Sequence, residues 1–122
     1  VEALHDFLPL FQHSPDARTI AAGTALFREN EPGDALYVVL AGQVEIRIGD
    51  RAVETVGPGG IVGEMALVDR TPRSGSAVAV SEARVVPVDE RWFLFLIQQT
   101  PFFALKVMHV MAQRLRRENA RA

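Results

Sequence analysis

The chain has 122 residues and 48% hydrophobic content, enough for one compact core and too little for two independent ones. A formal net charge of -2 provides no global basic field for a polyanion, so nucleic acid is a poor partner and any basic site must be local. With no cysteine there is no disulfide framework, thiolate metal site or cysteine nucleophile, a composition that fits a reducing cytoplasm.

Val1 to Phe11 is apolar at mixed spacing and carries Pro9, which allows at most a short helical turn with a packing role. It lacks the cationic and then apolar layout of a signal peptide. No apolar run approaches the roughly 20 residues that cross a bilayer, so a soluble cytoplasmic protein without membrane contact is expected. From Arg18 to Pro87 the sequence breaks into short β-prone runs. They are separated by Gly23, Pro32-Gly33-Asp34, Ala41-Gly42, Gly49-Asp50 and Gly57-Pro58-Gly59-Gly60, the pattern of a small antiparallel barrel or sandwich. The predicted strands include Ala35 to Leu40, Val44 to Ile48, Ala52 to Val56, Ser76 to Val80 and Arg84 to Val88. In Val44 to Ile48 the alternation places Val44, Ile46 and Ile48 on one face and Glu45 and Arg47 on the other. The glycines at 33, 42, 57 and 59 read as turn-makers without a ligand role.

After Pro87 the period changes. Asp89 is placed to cap a helix running through Gln99, with Glu90 adding negative charge to its first turn. Thr100-Pro101 interrupts it, and a second helix is expected from Pro101 to about Asn119. Leu105, Met108, Ala112 and Leu115 form one apolar stripe along that helix, which either packs on the barrel or meets a second copy in a homodimer. Arg114, Arg116, Arg117 and Arg121 read as a solvated face, one of them able to stack on a purine.

The stretch Ile61 to Ser74 carries the chemistry. It follows a glycine-rich turn with Gly63, Glu64, Met65 and Ala66, which can make one helical turn whose free N-H groups bind an anion. Glu64 repels a phosphate but can accept a hydrogen bond from a hydroxyl held beside it, as a ribose 2′-OH would be. Arg73 supplies a permanent charge and a fork that matches two phosphate oxygens, and Ser74 adds a hydroxyl. The plainer readings are a loop arginine in solvent at 73, a helix N-terminal acid at 64, and Met65, Leu67 and Val68 as core.

The run Leu26 to Val44, with Glu31-Pro32-Gly33-Asp34 in it, and the run Gly59 to Ala77, with Gly63-Glu64-Met65-Ala66-Leu67 and Pro72-Arg73-Ser74, resemble the two halves of the cyclic-nucleotide-binding domain. The resemblance extends over about Thr19 to Leu115. It implies a mostly β fold with C-terminal helices: an antiparallel β-roll, jelly-roll-like or double-stranded β-helix, followed by two helices. On this reading residues 1–122 are a single domain. Residues 1–17 are a short N-terminal segment, 18–88 the β-roll with its phosphate-binding cassette at 59–77, and 89–119 two helices acting as hinge and lid.

Carried over by residue, the resemblance implies that Gly63 and Ala66 give backbone contacts to the cyclic phosphate, with the Met65 backbone beside them. Glu64 would bind the ribose, Arg73 the exocyclic oxygens, and Ser74 phosphate or base. Arg117 and Asn119 are candidate lid residues. Glu118 and Asn119 stand where the catabolite activator branch carries hydroxyl residues against adenine, and the helix before the first strand is abbreviated. The Arg73-Ser74 pair is similar to that branch and favours cAMP over cGMP. The implied function is non-catalytic: the cyclic nucleotide is a ligand and no catalytic cofactor is expected. Binding reorients the last helices toward a partner or attached effector, with a homodimer through the last helix and no nucleic-acid contact by this segment. A β-roll interaction module without nucleotide is the alternative. A cupin-like enzyme is the other, but His5, His13 and His109 are too scattered to converge as metal ligands.

Overall fold

A computed structural model describes residues 4–121. Val1 to Ala3 of the N-terminal segment, and the side chain of Arg121, lie outside the described residues. A single helical turn, α1 (Leu8–Phe11), precedes eight strands: β1 (Arg18–Ile20), β2 (Ala25–Phe27), β3 (Ala35–Ala41), β4 (Val44–Ile48), β5 (Arg51–Val56), β6 (Ile61–Val62), β7 (Ser76–Ala79) and β8 (Ala83–Asp89). Helix α2 (Glu64–Asp69) interrupts the series between β6 and β7, and α3 (Glu90–Gln99) and α4 (Pro101–Arg121) follow it.

The strands form two four-stranded antiparallel sheets, in the orders β1-β8-β3-β6 and β2-β7-β4-β5. The expected β-roll followed by two helices is therefore the fold. Apart from the β4–β5 hairpin, consecutive strands alternate between the sheets, so the chain passes through α2 on its way from β6 in one sheet to β7 in the other. Alternation on β4 holds: Glu45 and Arg47 share a face and bond to each other at 2.6 Å. Its apolar face grades from the fully buried Val44 to the exposed Ile48, because the pairing with β5 shifts register between Ile46 and Arg47.

The sheets enclose a core of Val39, Val44, Val56, Val62, Ala77, Ala79, Ala83 and Val85. A second core lies between sheet and helices and is aromatic. Phe103 meets Phe7 at 5.9 Å and Phe93 at 5.7 Å, both edge-on, and Phe11 meets Trp92 at 5.6 Å. Helix α3 starts where Asp89 accepts a 2.8 Å hydrogen bond from the Trp92 N-H, as its position predicts.

The apolar stripe on α4 faces the other way from its packing role. Leu105, Met108, Ala112 and Leu115 are exposed, whereas Phe103, Lys106, Val107 and Val110 are buried against the body. Periodicity alone selects the outward stripe because the inner face includes two long cations, Lys106 and Arg114. Their stems cover apolar surface, and the Lys106 ammonium sits 5.2 Å from the Phe7 ring centroid.

Candidate functional site

A cavity of about 290 Å³, open to solvent on one side, lies between β4, β5, α2 and α4. Its floor is built by the turn from β6 into α2. Gly63 caps α2 in the left-handed region (φ 84°), and Arg70 closes it in the same region (φ 57°), so a short helix is bracketed by two reversals. Gly63 has little alternative as a residue. A Cβ there would stand 2.6 Å from Arg73 Nη1 and 3.0 Å from the Phe27 ring. Gly33, read from the sequence as a turn-maker, also permits a close approach: a Cβ on it would overlap the Ala66 Cβ at 2.2 Å. The Pro32-Gly33-Asp34 loop is thus fitted against α2.

Arg73 is held from both sides. Its N-H bonds the Glu31 carbonyl at 2.8 Å and its carbonyl accepts from Asn30 N-H at 2.8 Å, fixing the backbone to the β2–β3 loop. Arg73 is 3% exposed, its guanidinium stacked 4.0 Å above the Phe27 ring centroid. It donates to Gly63 O at 2.9 Å and Ala35 O at 2.6 Å, with Asp34 at 3.9 Å. Its Nε is buried with no hydrogen-bond partner. Burial pulls the Arg73 pKa below its ordinary value, against the opposing pull of Tyr37, Asp34, Glu31 and Glu64. A solvated loop charge it is not: the plainer reading of Arg73 fails on burial.

Glu64 is 1% exposed, and its Oε1 accepts a hydrogen bond from Arg114 Nη1. Arg114 is the residue that sequence reading missed. Taken as part of a solvated face, its side chain is only 15% exposed. Its Nη2 donates to the Ile61 carbonyl at 2.7 Å. Nε and Nη2 make a fork onto Glu54, at 3.0 and 3.1 Å. Burial lowers the Arg114 pKa, but the carboxylates of Glu64 and Glu54 more than reverse this and leave it raised. For Glu54 burial raises the pKa, and the bonds and charges of Arg114 and Arg117 outweigh it, leaving it lowered. Arg117 reaches the same carboxylate at 2.9 Å while staying half exposed.

The cavity walls therefore gather Gly63, Glu64, Met65, Ala66, Arg73 and Ser74. Arg117 and Glu118 stand at its α4 edge, and Asn119, the other lid candidate, is exposed and not among the lining residues. Of the residues read as core around the turn only Leu67 is buried; Met65 and Val68 are 40% and 43% exposed, since α2 lies at the surface with one side against Gly33. Ile46, Ile48, Val53 and Leu115 give the cavity apolar walls. The arrangement can bind a small anion with a hydroxyl-bearing ring and an apolar body.

Residues 17–100 match the family model of the cyclic nucleotide-binding domain. The chain belongs to that family. It is 36% identical over 104 residues to the CRP-like cAMP-activated global transcriptional regulator of Mycobacterium tuberculosis, covering 80% of this chain and 46% of that protein. The crystal structure of the Thermus thermophilus catabolite activator protein superposes with a TM-score of 0.78 at 33% identity, over 86% of this chain and 52% of that one. A structure from work on a cyclic-GMP-dependent signalling pathway in bacterial phytopathogenesis gives 0.72 at 29% identity, over 81% and 82%. The chain spans about half the length of the curated relatives it matches. No single helix among the described residues is long and apolar enough to cross a membrane.

Proposed function

We propose that this cyclic nucleotide-binding domain is a non-catalytic sensor of a purine 3′,5′-cyclic nucleotide, with cAMP the favoured ligand. Residues 1–122 act as one module. The observation that carries this reading is the Arg73 Nε, a buried cationic N-H without a hydrogen-bond partner on a residue that lines the same cavity as Glu64. An unmade hydrogen bond on a buried charged group costs more than a neutral one, and an entering phosphate oxygen removes that cost.

In this reading the cyclic phosphate rests on the α2 turn, against the Gly63, Met65 and Ala66 backbone. Arg73 adds its Nε donor and its charge. Glu64 accepts from the ribose 2′-OH with Ser74 beside the phosphate or base, and the purine lies between the apolar walls of β4 and β5 and the inner side of α4. The names of the Mycobacterium and Thermus relatives support cAMP. Arg114 ties α4 to Glu64, so a ligand that changes the Glu64 environment acts directly on the last helix. Only a ligand with different affinity for two placements of α4 shifts their balance. The exposed stripe Leu105, Met108, Ala112 and Leu115 is the surface proposed for a homodimer, through which or through an attached effector the movement is passed on.

Calorimetric titration of the folded protein with cAMP and cGMP tests this. The expected result is binding tighter than about 100 μM, with cAMP ahead of cGMP. Failure of both nucleotides to bind refutes the sensor reading and leaves a β-roll interaction module.

A further inference from the structure

The geometry points to Glu54, in β5, as a positioning residue for the nucleotide site: a carboxylate latch that holds α4 across the cavity and aims Arg114 at Glu64. The inference rests on the nucleotide reading of the cavity for its ligand arm, and on geometry alone for its helix arm.

Glu54 lies ten residues before Glu64 and in strand β5 rather than helix α2, so nothing in the cassette motif requires it. Its carboxylate makes three contacts to α4. Two form the fork onto Arg114, at 3.0 and 3.1 Å, and the third reaches Arg117 at 2.9 Å. The side chain is 21% exposed, so these bonds are only partly screened by water. Arg114 has one further guanidinium nitrogen, Nη1, and it donates to Glu64. A guanidinium is planar and rigid, so fixing its Nε and Nη2 edge on Glu54 and Ile61 determines where Nη1 points. That in turn fixes the Glu64 carboxylate, proposed to receive the ribose hydroxyl. The Glu54 fork thus ties β5 to α4, beside the Arg114 bond to the Ile61 carbonyl.

Without the Glu54 charge, Arg114 loses its fork and Arg117 its anchor. Nη1 is then free to swing, and Glu64 loses a fixed partner. The loss falls on recognition of the 2′-hydroxyl and on the docking of α4 rather than on the phosphate, which Arg73 handles from the opposite wall.

The test compares wild type with Glu54→Gln, which keeps size and shape and removes the charge. Two titrants are used, cAMP and its 2′-deoxy analogue, and amide hydrogen exchange is followed along Pro101 to Ala120 without ligand. Wild type is expected to prefer cAMP over the deoxy analogue by about tenfold or more. In Glu54→Gln that ratio falls to threefold or less, while affinity for the deoxy analogue changes by less than about threefold. Exchange along α4 rises about tenfold. A merely structural loss lowers both affinities equally and keeps the ratio, which overturns the assignment, as does α4 exchange unchanged from wild type. If Glu54→Gln does not fold, Glu54→Asp, with the charge kept but withdrawn by one methylene, is read against the same ratio and exchange rate. Should wild type bind neither nucleotide, the sensor reading fails while the exchange measurement still decides the latch.

Discussion

Replacing Arg73 with alanine tests two consequences of one buried guanidinium. Its two bonds to backbone carbonyls, at Gly63 and Ala35, are charge-assisted and contribute about 1.5 to 3 kcal/mol each. The stack on Phe27 adds about 0.5 to 2 kcal/mol. Two effects oppose this sum. The Gly63 carbonyl is only part-buried, so water replaces part of what it loses, and removing the charge also relieves the desolvation that pulls the Arg73 pKa down. The net expectation is a loss of about 2 to 3 kcal/mol. At about 4 °C per kcal/mol for a domain of this size, the melting temperature falls by about 8 to 12 °C. Ligand affinity falls separately, by at least about tenfold, since the phosphate loses the Nε donor and the charge it carries. Differential scanning calorimetry with and without cAMP, together with isothermal titration below the transition, measures both. A melting temperature within about 3 °C of wild type refutes the structural tie. Affinity within about twofold of wild type refutes the phosphate assignment.

Gly63→Ala is expected to act on the same group from the other side: the left-handed φ costs about 1 kcal/mol, and the new Cβ meets Arg73 Nη1. Weaker cAMP binding with a lowered melting temperature follows, and an unchanged calorimetric profile refutes the close approach. Wild type is expected to sediment as the proposed dimer, and Met108→Glu, which places a charge on the exposed stripe of α4, is expected to sediment as a monomer at the same concentration. Identical sedimentation of the two proteins removes that face from the interface. The Glu54 carboxyl lies below its ordinary pKa in the folded protein, so its stabilisation is full above the unfolded value and is lost as pH falls through the lowered one. The melting temperature of wild type relative to Glu54→Gln is therefore expected to be highest above about pH 5 and to shrink through about pH 4 and below. A difference that stays flat from neutral to about pH 3 contradicts the ion pair.

Local rules made much of the fold legible. Asp89 caps α3 and Pro101 opens α4, because a cap and a proline act within one turn and need no tertiary partner. The β4 alternation was readable as far as Ile46, and the register shift beyond it was not, since a bulge depends on the partner strand. That Gly63 to Ala66, Arg73 and Ser74 line one cavity was legible through the resemblance, since its motif lies within one short stretch of sequence. What holds them was less so: the two carbonyls on Arg73 are backbone oxygens, which every residue type carries. Glu54 and Arg114 lie 60 residues apart, and a short-range pattern has no access to such a pair. Packing of the α4 stripe on the barrel, one of its two readings, failed for a related reason. A count of apolar residues finds the more uniform face, and here the inner face uses arginine and lysine stems as hydrocarbon.

Arg114 and Leu115 are sequence neighbours, yet one is enclosed by carboxylates and the other is 57% exposed. At 1.5 Å per residue the 21 residues of α4 form a rod of about 30 Å, so a 5° tilt about Thr100-Pro101 sweeps its far end by roughly 3 Å. Arg114 lies about 20 Å along that rod, so the same tilt shifts its guanidinium by roughly 2 Å, enough to exchange one set of hydrogen-bond partners for another while the outer surface of the helix moves with it.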